Sequence, residues 1–267
     1  MKTQIQLYND IKRIVSFFSR QLKFDKYKNK LGRKLALPLE EIISVALFKQ
    51  KNGISTKKAV YEILKLKCSY KTAVVNLNRW YYLAAIILLL LMKINRRSQH
   101  IIKHIDSTDI PVCLFKNANA HKTMKELASF GRSSKGIYFG LKLHIITDLK
   151  RKLLSIRFTS GNVNDREMVM PMSKEIYGIL IADAGYISKK LSKEFYQEHK
   201  RILLAKLRVN MKKIITKFQE LLYQTRMLIE LNFRNLKMFY GLITSLPRSV
   251  DGYLANYIYS LLACQII

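Results

Sequence analysis

The chain has 267 residues, of which 49% are hydrophobic and 25% are charged, so it is not a disordered tail protein and holds enough apolar material for one or two folded domains. Its 48 Lys and Arg residues stand against 18 Asp and Glu residues, a formal net charge of +30. Three scattered cysteines exclude a disulfide framework and a zinc knuckle, and the amino terminus lacks a secretory signal, so we expect a cytoplasmic protein.

The excess of positive charge predicts a nucleic-acid partner. Acidic residues are absent from 63–105, and after His199 they are limited to Glu220, Glu230 and Asp251. An A/T-rich genome enriches lysine without removing acids, so compositional drift, which stays open as the alternative, explains the pattern less well. A pI near 10 is typical of proteins that bind DNA or RNA.

Residues 1–98 are predicted to form a basic, all-α DNA-binding domain. Apolar residues recur at three- and four-residue steps along the first helix, at Leu7, Ile11, Ile14, Phe18 and Leu22. Short basic helices joined by tight turns fit a helix-turn-helix unit, although any basic helical bundle has the same pattern. The charge-free stretch 80–92 is too short to span a membrane, so we expect a buried core helix and no membrane partner.

Residues 99–267 differ in kind and are predicted to form an α/β domain. The predicted strands cover 101–109, 137–148, 153–159, 178–183 and 201–207. The first three are expected to be antiparallel, and the later ones alternate with helices. This order predicts a mixed sheet with helices on its faces.

Three of the few acids point to a metal centre. Asp106 lies inside the first strand, Asp183 closes the fourth, and Glu230 lies in a late helix. Converging carboxylates repel one another unless a cation neutralises them, and Mg²⁺ prefers such hard oxygen ligands. Three carboxylates suffice for two ions, which predicts phosphodiester cleavage or transfer. Each acid alone is equally consistent with a cap or a solvated surface position. Asp109 points to the opposite strand face from Asp106, so we choose Asp106.

The late helix carries polar residues in a regular pattern. Tyr223, Arg226, Glu230 and Lys237 stand at offsets of 0, 3, 7 and 14, which places them on one stripe of a continuous helix. A metal ligand is thus predicted beside two phosphate-binding cations. The alternative is an ordinary polar face with an Arg226–Glu230 salt bridge.

The pattern Tyr223-x2-Arg226-x3-Glu230-x6-Lys237 resembles the Y-R-E-K signature of bacterial insertion-sequence transposases of the DDE class. Further stretches between about 100 and 260 are similar to that family: Ile105-Asp106-Ser107, Tyr138-Phe-Gly-Leu-Lys-Leu-His144, Thr159-Ser-Gly-Asn162 with Asn164-Asp165, and Ile181-Ala-Asp-Ala-Gly-Tyr186. Residues 1–98 match only in being basic and helical.

The resemblance implies a ribonuclease-H-like catalytic domain with Asp106, Asp183 and Glu230 as the catalytic, metal-binding triad. It implies two Mg²⁺ or Mn²⁺ ions, cutting at the ends of the element and joining of the freed 3′-hydroxyl to target DNA. The expected partners are double-stranded DNA, as terminal inverted repeats and as target, and further copies of the chain in a homo-oligomer. The expected location is the bacterial nucleoid.

The resemblance also assigns the surrounding residues. Arg226, Lys237 and Lys142 are expected to contact DNA, with Tyr223 beside the substrate backbone. His144 is expected to be a strand residue near the site and not a catalyst. Two alternatives remain: a catalytically inactive DNA-binding relic, and a metal-dependent nuclease of the same fold with no joining step.

Overall fold

The computed structural model describes residues 3–28, 34–198, 200–207 and 215–266. Its helices are α1 (Gln4–Gln21), α2 (Leu39–Lys51), α3 (Lys57–Leu64), α4 (Tyr70–Arg79), α5 (Tyr81–Arg97), α6 (Val169–Met172), α7 (Lys189–Gln197), α8 (Lys217–Gln224), α9 (Met227–Met238) and α10 (Val250–Ile266). Its strands are β1 (Ile102–Pro111), β2 (Ser129–Ser133), β3 (Gly136–Asp148), β4 (Leu153–Ser160), β5 (Ile179–Ala182) and β6 (Ile202–Ala205).

The chain divides into two compact units. The helical unit comprises Met1–Leu90 and Asn235–Ile267, and the sheet unit comprises Leu91–Arg234. The predicted boundary at residue 98 lies near the first division, but the segment from Asn235 onward, expected within the second domain, groups with the amino-terminal helices. The assignment of DNA binding to one domain and catalysis to the other stays a prediction.

The helical unit is built on well-capped amphipathic helices. Thr3 and Gln6 form a capping box at the start of α1, and the hydroxyl of Ser69 accepts a hydrogen bond that caps α4. A buried amide joins α2 to α10, since Gln50 Nε2 donates to Ser260 Oγ at 2.7 Å and to Asn256 Oδ1 at 3.0 Å. That pairing satisfies polar groups inside an apolar core and explains why α10 belongs to this unit.

One helical stretch within the described residues, Tyr70–Arg97, is long and apolar enough to cross a membrane by length and composition, with a mean hydropathy of 1.6. In the structure Trp80 separates α4 from α5. The inner face of α5 is buried through Leu83, Ile87 and Leu88. Over the most apolar window of the stretch 39% is buried, so the expected core helix stays a prediction.

The sheet unit contains a six-stranded mixed sheet. Its order is β2-β3-β1-β5-β6, with β4 also pairing with β3. Strands β1, β2 and β4 are antiparallel to β3, whereas β5 is parallel to β1 and β6 is parallel to β5. The predicted α/β class with a ribonuclease-H-like sheet is confirmed, since three antiparallel strands are followed by parallel strands on the other side of β1.

Strand β2 was not predicted. It pairs with the first residues of β3, from Gly136 to Gly140, while β4 pairs with the remainder. Helices pack against the sheet. The hydrophobic core that they form with it consists of Ile105, Ile146, Leu154, Val169, Met172, Ile176, Leu180, Ala182, Tyr186, Leu191, Phe195 and Leu203. This core includes Ile105 of β1 and Ala182 of β5, which directly adjoin Asp106 and Asp183.

Candidate active site

Two of the predicted acids lie on neighbouring inner strands of the sheet, Asp106 on β1 and Asp183 directly after β5. The parallel pairing of β1 with β5 matches His104 with Ile181, and each acid follows two residues later, as Asp106 and as Asp183. Residues two apart in an extended chain share a face. The strand register therefore directs both carboxylates to the same side.

Arg226 joins these acids to the third. Its Nη2 lies 2.9 Å from Asp106 Oδ2, and its Nη1 lies 2.9 Å from Glu230 Oε1 and 3.7 Å from Asp183 Oδ1. All three carboxylates are thus within 4 Å of one guanidinium group. The structure brings together four of the residues that the sequence nominated, with the arginine between the acids.

The four side chains differ in exposure. Those of Arg226 and Asp106 are 16% and 15% exposed, whereas those of Asp183 and Glu230 are 47% and 57% exposed. The site therefore has a buried side, formed by Asp106 and the arginine, and a solvent-accessible side, formed by Asp183 and Glu230.

Burial dominates the electrostatics of Asp106. It raises the pKa of this carboxyl to about 6, although Arg226 and the backbone N–H of Ser107, which donates to Oδ1 at 2.8 Å, both lower the pKa. Burial lowers the pKa of Arg226, but the neighbouring carboxylates outweigh it and leave that pKa above its ordinary value. The arginine is therefore always charged, whereas Asp106 still lacks full compensation.

The prediction of one continuous helical stripe was wrong. Helix α8 ends at Gln224 and α9 begins at Met227, with Thr225 and Arg226 in a tight turn between them. Hydrogen bonds of the i to i−3 type, such as Arg226 N–H to Tyr223 O at 3.1 Å, replace the helical pattern there. Thr225 Oγ1 also donates to Leu222 O at 2.6 Å, and it lies 2.8 Å from His104 Nε2.

Tyr223 and Lys142, two of the three other residues predicted to contact DNA, have hydrogen-bond partners other than the three acids. The hydroxyl of Tyr223 donates to Ala205 O on β6 at 2.9 Å. Lys142 Nζ lies 3.0 Å from Asp165 Oδ1 and donates to the carbonyl of Val163 at 2.8 Å, with 14% of its side chain exposed.

Lys237 occupies the last turn of α9, in the part of the chain that groups with the helical unit. The DNA contacts of Tyr223, Lys142 and Lys237 stay predictions.

Two buried histidines lie on the strands next to Asp106: His104 on β1, and His144 on β3 opposite Ser107. His144 Nε2 lies 2.9 Å from Thr159 Oγ1, and burial lowers the pKa of His144 to about 4. His104, which sequence reasoning missed, has a pKa lowered to about 4 by burial and by Arg226. Its position two residues before Asp106 on the same strand face was the available signal.

Tyr186 is a further residue that the sequence reasoning did not nominate. It is 1% exposed, and burial raises the pKa of its phenol well above the ordinary value, with Asp165 and Asp106 raising it further. The phenol therefore stays neutral and forms part of the low-dielectric wall behind Asp106.

The acids fit a divalent cation in their chemistry. They offer hard carboxylate oxygens, which Mg²⁺ and Mn²⁺ prefer, and all of them already face one shared positive charge. Across the described ranges, however, no three His, Cys, Asp or Glu side chains stand close enough together to hold an ion, and at the three acids a guanidinium occupies the shared position.

Comparison with known proteins gave three results. No curated protein matches the sequence. A solved structure described as "Crystal structure of the Mos1 mariner paired end complex with Mn" is similar over 94% of this chain and 85% of that chain, with 10% identity and a TM-score of 0.27. Residues 96–249, more than half of the chain, match the family model described as "Transposase DDE domain". The chain belongs to this family of transposase DDE domains.

Proposed function

We propose that this transposase cuts DNA at the ends of its own element and joins the freed 3′-hydroxyl to target DNA, with Asp106, Asp183 and Glu230 holding two Mg²⁺ or Mn²⁺ ions. The observation that carries the proposal is the convergence of these three carboxylates on one guanidinium. When bound, the metal supplies a Lewis acid that lowers the pKa of the attacking hydroxyl and offsets charge on the scissile phosphate.

The residues of the chain contribute position and charge. The Ser107 N–H holds Asp106 from the backbone side, so one oxygen is oriented before any ligand arrives. Both buried histidines have a pKa of about 4, which makes them weak proton acceptors, and each is hydrogen-bonded to a threonine. Deprotonation of the nucleophile therefore does not depend on either histidine.

A basic surface in the helical unit suits the DNA partner. The polar side of α1 lines a groove of about 360 Å³ through Asn9, Lys12, Arg13, Ser16 and Arg20. Cations spaced along one helix suit the phosphates of a duplex, which carry one charge per about 1.7 Å of axis. We therefore propose double-stranded DNA as the partner of this surface.

The test is cleavage and strand transfer on duplexes that carry the terminal inverted repeats flanking the gene. Wild-type protein is expected to cut and join them only with Mg²⁺ or Mn²⁺, and Asp183→Asn is expected to abolish both steps while still binding the duplex. Glu194→Gln, at an exposed carboxylate on α7, serves as the matched control and should retain activity. Cutting without joined products would instead identify a nuclease.

A second candidate is an inactive DNA-binding relative. It is favoured by the absence, among residues that the structure describes, of three ligand side chains already at metal-binding separation. Duplex binding without metal-dependent cutting, in the wild type as in Asp183→Asn, would identify this function.

A further inference from the structure

Arg226 fills the space that the three carboxylates share. Both terminal nitrogens of its guanidinium are engaged, Nη2 by Asp106 and Nη1 by Glu230 and Asp183. A cation bound by the same oxygens and this guanidinium are like charges competing for the same partners, and close like charges repel strongly in a partly buried site.

The arginine is not fully satisfied where it lies. Its Nε is buried and has no hydrogen-bond partner in the part of the chain that the structure describes. A guanidinium presents five N–H donors in a planar fork that matches the oxygens of a phosphate. Its present position thus uses the outer edge of the fork and leaves a buried donor unmet, as expected of a side chain with a second position.

We propose that Arg226 is a displaceable counter-ion, which holds the three carboxylates together in the metal-free protein, yields them to divalent metal, and then binds a phosphate of the substrate backbone. This inference rests on the proposed function, since it needs the metal to bind at these acids. Arg226 is thus a positioning residue before the metal arrives and a substrate contact afterwards.

The side chain of Arg226 couples the binding of metal to the binding of phosphate. A metal ion bound by the carboxylates breaks their ion pairs with Arg226, which frees the arginine to bind phosphate. A phosphate bound by Arg226 breaks the same ion pairs, which frees the carboxylates to bind metal. Such coupling is reciprocal by thermodynamic necessity. The wild-type protein should therefore bind metal more tightly in the presence of DNA.

The experiment measures Mn²⁺ binding to the full chain by the electron paramagnetic resonance signal of free Mn²⁺, at pH 8 and with or without a 30-base-pair duplex. Arg226→Gln removes the competing charge and should bind Mn²⁺ about tenfold more tightly than the wild type without DNA. The duplex should tighten Mn²⁺ binding to the wild type several-fold and leave Arg226→Gln unchanged.

Two further variants separate charge from structure. Arg226→Lys keeps the positive charge and should not show the tenfold tighter Mn²⁺ binding. If Arg226 had a merely structural role, Arg226→Lys and Arg226→Gln would change Mn²⁺ binding alike. Arg234→Ala, at an exposed arginine of α9, should behave as the wild type. If Arg226→Gln fails to fold, the coupling between DNA and Mn²⁺ in the wild type decides the question, because its absence overturns the inference.

Asp183→Asn distinguishes failure of the inference from failure of the proposed function. If this variant weakens Mn²⁺ binding while Arg226→Gln binds as the wild type does, the metal site stands and the displaceable counter-ion is wrong. If Asp183→Asn leaves Mn²⁺ binding unchanged, the metal site at these acids is wrong, and the inference fails with it.

Discussion

Replacing Asp106 with asparagine is expected to stabilise the metal-free protein while abolishing catalysis. The carboxyl group is 15% exposed, accepts a hydrogen bond from Ser107 N–H, and pairs with Arg226. An asparagine at this position keeps the hydrogen bond with its side-chain oxygen. It removes the charge, whose burial costs more than these partners return.

The size and sign of the effect follow from the pKa. Burial raises the pKa of Asp106 from 3.8 to about 6. At 1.36 kcal/mol per pH unit, the ionised form costs the folded state about 3 kcal/mol. Because the folded pKa is raised, the stabilising effect of the bound proton is complete below pH 3.8 and is lost as the pH rises through 6. The variant should gain nothing near pH 3.5 and about 3 kcal/mol at pH 8.

Urea unfolding in the presence of EDTA at pH 3.5 and pH 8, followed by circular dichroism, measures this difference. Asp183→Asn is the matched control, since it removes a half-exposed carboxylate of the same guanidinium and should change stability by less than about 1 kcal/mol. A loss of stability in Asp106→Asn at pH 8, or a gain independent of pH, would refute the reasoning. Mg²⁺ should then stabilise the wild type and not the variant.

Three other substitutions test the sheet unit. Burial lowers the pKa of Lys103 from 10.5 to about 8. Because the unfolded chain binds this proton more tightly than the folded protein does, the free energy of unfolding should rise between pH 8 and 9.5. Lys103→Met should reduce that rise, as measured by urea unfolding. Gly140→Ala would place a Cβ 2.1 Å from Ile110 O and should cost about 3 kcal/mol, seen as a lower melting temperature, unlike Gly185→Ala, which meets nothing within 4 Å. Tyr223→Phe loses a hydrogen bond to β6 and should cost about 1 kcal/mol in urea unfolding, with unchanged affinity for duplex DNA if the phenol does not contact the substrate.

The long strands were predictable because local sequence determines them. In β3 the predicted range 137–148 differs by one residue from the observed Gly136–Asp148, and in β4 the predicted end at 159 lies one residue short. Strand β2 was missed because Ser-Phe-Gly-Arg-Ser has neither β-branched residues nor a clear alternation. Its backbone is recruited by the free edge of β3, which is a tertiary effect.

The break between α8 and α9 was not predictable from local sequence either. Neither glycine nor proline lies between Gln224 and Met227, so the local sequence predicts a continuous helix there. Thr225 reaches His104 on β1, a contact 121 positions away in sequence, and this contact accompanies the tight turn that aims Arg226 at Asp106. The convergence of the acids was predicted from their rarity and from the family resemblance, and the Arg226–Glu230 salt bridge was the stated alternative. The contacts of Arg226 with Asp106 and Asp183 required the fold.

The net charge of the three carboxylates and Arg226 favours the binding of a cation that is not part of the chain. Three carboxylates and one guanidinium leave two negative charges, and the protein supplies this guanidinium as their shared cation. Burial raises the pKa of Asp106 to about 6 although Arg226 lowers it, so this one guanidinium does not offset the cost of burying the carboxylate. The remaining charge is of the sign that divalent cations offset.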